Sequence, residues 1–199
     1  MSPHAFSSRR SSVMAAALLA CAGGARADAP AYQPVAAQSS LTFTGTQQGE
    51  KFTGAFKDFD AQVAYAPGEL ASSRITATVR IKSLDSKSQD RDSALVGSDW
   101  FDVVKFPVAT FRTTAIRMTP TGPVGDAELT IRSTTRKLAF PFTWKADAGK
   151  ATLDARVTID RLDFGIGTGE WADDSVAGRK VEVSVHLTLV PAPAAAAKH

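Results

Sequence analysis

Two stretches near the end of the chain constrain its fold more than any other feature. Ala151-Thr152-Leu153-Asp154-Ala155-Arg156-Val157-Thr158-Ile159 and Val181-Glu182-Val183-Ser184-Val185-His186-Leu187-Thr188-Leu189 are apolar at every odd position and polar at every even one. A period of two is that of an extended strand with one buried face; a helix would scatter the same residues around its axis. Looser versions run from Leu41 to Gly45, Phe59 to Tyr65, Ile75 to Ile81, Thr110 to Met118, Ala127 to Ile131 and Leu138 to Trp144. Turn signals punctuate them at Ala66-Pro67-Gly68-Glu69 and Thr119-Pro120-Thr121-Gly122-Pro123. Phe52 to Phe56 has the opposite phase to Phe59 to Tyr65, so Lys57-Asp58 is expected to form a bulge or corner that flips the face. Pro141 cannot donate to a ladder, which predicts an edge or a bulge for its strand.

Roughly eight one-faced strands with little helix predict an all-β chain, either one antiparallel barrel or a sandwich. Alternation does not say which side is wet, and an outer-membrane barrel turns its apolar face outward. Strands read as short, polar faces of isolated charges and threonines, and aromatics in mid-strand rather than in girdles argue for an apolar interior.

One block breaks the pattern. From Gln89 to Phe111 the chain carries acidic starts for two helical turns, at Asp90/Asp92 and Ser98/Asp99. Gly97 is expected to end the first turn in the left-handed region and Pro107 to stop the second. Leu95, Val96, Trp100, Phe101, Val103, Val104 and Phe106 are too apolar for a free loop, so this helical insertion, about residues 90–107, is expected to cover something. Arg91, Asp92, Asp99 and Asp102 are expected to set its geometry by capping and pairing.

Residues 1–27 read as an export leader: Arg9-Arg10, an uncharged run from Val13 to Ala25, and Ala25-Arg26-Ala27 as the cleavage site. The run falls short of the roughly 20 residues of a membrane span. Leu18-Leu19-Ala20-Cys21 also has the form of a lipoprotein box, which would anchor the protein through Cys21. Either route is expected to place the protein outside the cytoplasm. Removing 27 of 199 residues leaves 172, ample for one domain at 28–190, with 191–199 a Pro/Ala tail expected to be disordered. Of the 23 Lys and Arg, Arg9, Arg10 and Arg26 go with the leader, leaving 20 against 20 acids. The basic balance belongs to the leader, and nothing argues for a nucleic-acid partner. Cys21 is the sole cysteine, so soluble processing removes the chain's only thiol.

The side chains point away from catalysis. Of three histidines, His4 is in the leader, His199 ends the tail and His186 alternates outward beside Glu182 and Ser184. No Ser-His-Asp or Cys-His set can be assembled, and a histidine-ligated metal or haem lacks ligands. Asp163-Phe164-Gly165 occurs without the glycine loop and catalytic loop of a kinase. An enzyme would have to rest on Asp92, Asp160 or Asp163. What remains is aromatic surface, and an eight-stranded barrel is just wide enough to fill with side chains or to hold one ligand.

Arg91-Asp92-x-x-Leu95, Asp99-Trp100-Phe101-Asp102 and Phe106-Pro107-x-x-x-Phe111 resemble the central signature of the YceI-like proteins, exported lipocalin-like binders of isoprenoids. Gly125 to Arg136 and Ile159-Asp160-Arg161-Leu162-Asp163-Phe164-Gly165 resemble two further motifs of that family, in register from Tyr32 to Val190. Two positions depart: Ser93-Ala94 stand where a histidine is common, and Ser133 where a turn glycine is. The resemblance implies an eight-stranded, lipocalin-like antiparallel barrel around a long polyprenyl or prenyl-quinone lipid, with no catalysis and no cofactor beyond that ligand. It makes a periplasmic carrier the leading expectation. Phe43, Phe56, Val79, Phe111, Phe140, Phe142, Trp144 and Phe164 are then candidates for the ligand-binding wall, and Leu95, Trp100, Phe101 and Phe106 for the lid. The alternatives are a filled barrel serving stress or interaction, and an accessory to a membrane b-type cytochrome; contact with a membrane and a homodimer stay open.

Overall fold

The alternating stretches pair antiparallel throughout. The computed structural model describes residues 28–147 and 149–193; the leader with Cys21, and 194–199 of the tail, lie outside the described residues. The strands are β1 (Ala31–Pro34), β2 (Ser40–Gln47), β3 (Glu50–Phe56), β4 (Phe59–Ala64), β5 (Arg74–Arg80) and β6 (Leu84–Asp85). One helix, α1 (Gln89–Leu95), precedes β7 (Val108–Thr119), β8 (Gly122–Ile131), β9 (Thr134–Asp147), β10 (Lys150–Asp160) and β11 (Lys180–Pro191). Neighbours run β4-β5-β7-β8-β9-β10-β11, and β1 joins the ends by pairing with both β11 and β4. The result is a closed eight-stranded barrel.

Closure depends on two interrupted strands. β1 and β2 lie end to end along β11, split by a 3-10 turn at Ala36–Gln38. Ser39 bridges the gap, its Oγ accepting from Thr188 N–H at 3.1 Å. β3 and β4 are likewise one strand bent at Lys57-Asp58, the corner expected from the phase change, so that Phe56 and Phe59 both face inward.

The lead-in before Leu41 thus holds β1, a closing strand that its Ala/Pro composition hid. β7 to β11 run 10 to 14 residues, longer than they read in sequence. β11 carries pairing through Pro191, one residue past the boundary expected at Val190, and Ala192 N–H donates to Ala31 O at 2.8 Å. Pro141 is neither on an edge strand nor in a bulge. It sits where β9 stops pairing with β8, at Val124↔Pro141, and begins pairing with β10, at Phe142↔Ala155. A residue without an N–H is tolerated at such a changeover.

The apolar faces point inward. Among the described residues only Val104, Val108 and Met118 are large apolar side chains left exposed, too few for the outer band of a membrane-spanning barrel. The interior divides along the barrel axis. One half is packed solid around Val63, Tyr65, Phe142, Ala151, Leu153 and Leu189. The other half is closed by a second cluster, Ile81, Leu84, Leu95, Ala109, Ile131, Phe164 and Ile166.

Candidate functional site

Between the packed half and the covered end lies a cavity of 590 Å³. Its walls come from the inward positions of nearly every strand: Phe43 from β2, Phe56 from β3, Val79 from β5, Phe111 from β7, Leu129 from β8, Phe140 from β9. Val157 and Ile159 of β10 and Val181, Val183 and Val185 of β11 are only half-buried although they face inward, because they border open space. Leu153 and Leu187, further along the same faces, form its floor and are fully buried.

The cover follows from local sequence. Ser88 caps α1, its Oγ accepting from Arg91 N–H at 3.4 Å, and Asp90 and Asp92 lie in the first turn, where the helix dipole favours them. The helix ends at Leu95, which turns inward and is buried. Gly97 does not take the expected left-handed conformation. The residue that does is Asp102, at φ 48°, which lets the chain fold back on itself. Phe101 N–H then donates to Leu95 O at 3.0 Å, Val103 N–H to Val96 O at 3.2 Å and Asp102 N–H to Gly97 O at 2.8 Å. The cover is tied to the barrel where Ile81 N–H donates to Pro107 O (3.0 Å) and Gly167 N–H to Asp99 O (2.8 Å). Asp92 accepts from Ser86 N–H at 2.9 Å, and Asp102, itself buried, pairs with Lys105 at 3.2 Å.

Polar groups cluster at one opening, bordered by α1, the β2–β3 hairpin and the segment 171–178. Arg91 crosses it: its Nε–H donates to Gln47 Oε1 at 3.0 Å, its Nη1 donates to Ser86 O at 3.1 Å, and the guanidinium lies 3.9 Å from the centre of the Phe52 ring. Asp90 and Ala94 line the same rim.

Arg161 holds the roof from beneath. Its side chain is buried, yet no carboxylate touches it; all its donors go to backbone carbonyls. Nε–H donates to Gly178 O at 3.1 Å, Nη1 to Ile166 O at 2.8 Å and to Gly167 O, Nη2 to Ala177 O at 2.7 Å and to Trp171 O. Burial pushes its pKa down from the ordinary arginine value, against the pull of the Asp174 and Asp160 carboxylates. Gly167 is at φ 64°, and a Cβ there would come within 2.5 Å of Arg161 Nη1 and 3.0 Å of the Trp100 ring, so the cage requires glycine. Asp160 caps the turn Arg161–Phe164 by accepting from Leu162 N–H at 3.0 Å and pairs with Arg179 at 2.8 Å. Burial opposes its ionisation, but Arg179, the Leu162 N–H and Lys180 together hold its carboxyl below the usual range.

The structure brings Phe43, Phe56, Val79, Leu95, Trp100, Phe101, Phe111 and Phe140 around this cavity. Four candidates lie elsewhere. Phe142 and Trp144 follow Phe140 down the same inward face of β9 and end in the packed half against Tyr65, at 5.3 and 5.0 Å between ring centres. Phe164 is buried in the covering cluster, and Phe106 lies 5.6 Å beneath the Arg132 guanidinium, outside the cavity wall. Sequence reasoning passed over the smaller wall residues, such as Ala77 and Val183, and it passed over Arg161. The signal for Arg161 was present: the odd, inward positions of β10 continue past Ile159 to an arginine.

The profile of the YceI-like domain matches residues 32–189. The chain belongs to the YceI-like family. Among solved structures, this YceI-like chain is similar to BcnA of Burkholderia cenocepacia, with 30% identity, a TM-score of 0.74 and coverage of 78% of this chain and 98% of that one. A domain of Saccharophagus degradans described as polyisoprenoid-binding and implicated in plant cell wall breakdown shares the fold at 14% identity and a TM-score of 0.64, covering 82% and 99%. A UPF0312 protein of Pseudomonas putida strain W619 is 31% identical over 121 residues, 57% of this chain. The YceI-like chain spans 62% of that relative's length.

Proposed function

We propose that this YceI-like protein is a periplasmic carrier for a long amphiphilic isoprenoid, a polyprenyl or prenyl-quinone lipid. The observation that carries the reading is the 590 Å³ cavity with an apolar wall and its polar groups gathered at one rim. A methylene occupies about 30 Å³, the share of one liquid water, so the space takes about twenty carbons, or four isoprene units. At about 0.8 kcal/mol per buried methylene the gross gain is about 16 kcal/mol, from which ordering costs are subtracted. Affinity is therefore ample, and exchange is the step that needs a device. The cover supplies one, since it is held over the barrel by a few hydrogen bonds and one short helix. A longer chain leaves through the rim beside Arg91. The export leader read at 1–27 supports the compartment, and the polyisoprenoid-binding neighbour of the same fold supports the ligand class. Exchange would bring the carrier against a membrane or a membrane b-type cytochrome.

The filled-barrel reading draws on the solid half of the interior and expects no lipid. Organic extraction of the purified protein followed by mass spectrometry separates the two. A co-purifying isoprenoid, or stoichiometric uptake of a prenyl quinone by the stripped protein, is the expected result. Absence of both refutes the carrier.

A further inference from the structure

We propose that the indole N–H of Trp100 receives the polar oxygen of the ligand, which makes Trp100 the residue that distinguishes an oxygen-headed amphiphile from bare hydrocarbon. The inference rests on the carrier reading above. Trp100 lines the cavity from the cover, and its Nε1 is shielded from solvent. Among the described residues it is the one buried side-chain nitrogen or oxygen without a hydrogen-bond partner. Buried indoles ordinarily find an acceptor, so an orphaned one on a residue that lines the cavity marks a partner yet to arrive.

The neighbouring polar groups explain why the protein does not satisfy it. Gly167 packs against the Trp100 ring and Trp171 stacks on it, and the carbonyls of both accept from the Arg161 guanidinium, a charged donor that outcompetes an indole. Arg91 and Arg161 are donors only and offer an indole N–H nothing, and the Asp160 carboxylate is taken by the Leu162 N–H and Arg179. The Arg161 guanidinium carbon also lies 5.2 Å from the Trp100 ring. A cation over the π face draws electron density from the ring and makes its N–H a better donor. The shared chemistry is an oxygen acceptor, whether hydroxyl, quinone carbonyl or phosphate. Because the N–H presents no surface in the closed arrangement, the oxygen meets it as the cover reseats over a bound chain. Trp100 sits in an irregular turn, its own N–H donating to Gly97 O at 3.2 Å, where such movement is accommodated without unwinding a helix.

Two probes of equal chain length test this on the stripped full-length protein: a prenyl alcohol of about four isoprene units and the hydrocarbon lacking its hydroxyl. Trp100→Phe keeps an aromatic ring and removes the donor. It is expected to weaken the alcohol about three- to tenfold and to leave the hydrocarbon within about twofold. The indole proton resonance of Trp100 in the wild type is expected to move downfield with the alcohol and not with the hydrocarbon. Equal effects of the substitution on both probes, or on neither, overturn the assignment, as does an indole shift that is the same for both. A prenyl quinone and a prenyl phosphate, compared with the alcohol, show which oxygen is preferred. Replacing Trp100 by its benzothiophene analogue, which keeps the ring size and lacks the N–H, provides the same comparison if the phenylalanine variant folds poorly. Wild-type protein that takes up neither probe refutes the carrier itself, an outcome separate from failure of the tryptophan assignment.

Discussion

Replacing Arg161 by methionine asks whether one buried cation holds the roof of the cavity. Methionine keeps an unbranched, flexible apolar stem and removes every guanidinium donor. The carbonyls of Gly178, Ile166, Gly167, Trp171 and Ala177 would all lose a charged partner. Hydrogen bonds to a charged group are worth about 1.5–3 kcal/mol each, so five give a gross loss of about 7–15 kcal/mol. Opposing this, the variant no longer desolvates a cation, a relief of several kcal/mol. Some of the freed carbonyls also regain water, because the segment 171–178 borders the opening. The net expectation is a destabilisation of about 3–5 kcal/mol. Arg161→Lys offers three donors from a compact ammonium, cannot span five carbonyls, and is expected to lose about 2 kcal/mol. Urea unfolding monitored by tryptophan fluorescence measures both, with the slope unchanged if the folded barrel is the same. A methionine variant within about 1 kcal/mol of wild type would refute the account of Arg161 as the roof's anchor.

Other expectations follow from the same geometry. Affinity for a series of prenyl alcohols should rise by about fourfold per carbon up to about twenty carbons and then level off as added carbons stay outside; calorimetry showing no plateau refutes the cavity estimate. Phe142→Ala, in the packed half, should cost about 3–5 kcal/mol of stability and spare lipid uptake, whereas Leu129→Ala on the cavity wall should cost about 2 kcal/mol or less and alter uptake. Asp160 and Asp85 are both held below the usual carboxylate range, Asp85 by the Lys57 ammonium and the Lys87 N–H and ammonium. A depressed folded-state pKa adds stability that is present above the unfolded value and is lost as pH falls through the folded one. The urea midpoint should therefore drop as pH falls below about 4, and less steeply in Asp160→Asn. Arg91→Ala removes the bridge to Gln47 at the rim; stability should change by about 1 kcal/mol or less, while stopped-flow release of a bound lipid should quicken.

Much of the architecture was legible in the chain because a strand's period of two is local. The odd positions of β10 and β11, the even positions of β9 and the face change at Lys57-Asp58 told which side chains point inward, and the apolar block after Gln89 announced a cover. The signatures around Asp99-Trp100-Phe101-Asp102 and Ile159–Gly165 indicated the family. Depth along the barrel was not legible, since Phe140, Phe142 and Trp144 share one face and only register with β8 and β10 places Phe140 at the cavity and the other two in the solid half. Closure through β1 depends on Ala31–Pro34 meeting β4 and β11 far away in sequence, whereas the left-handed corner at Asp102 rather than Gly97 and the carbonyl cage around Arg161 form within their own loops, through backbone conformations that leave no periodic signal. Periodicity determines which way a side chain faces; only the closed barrel decides whether it meets another side chain or empty space.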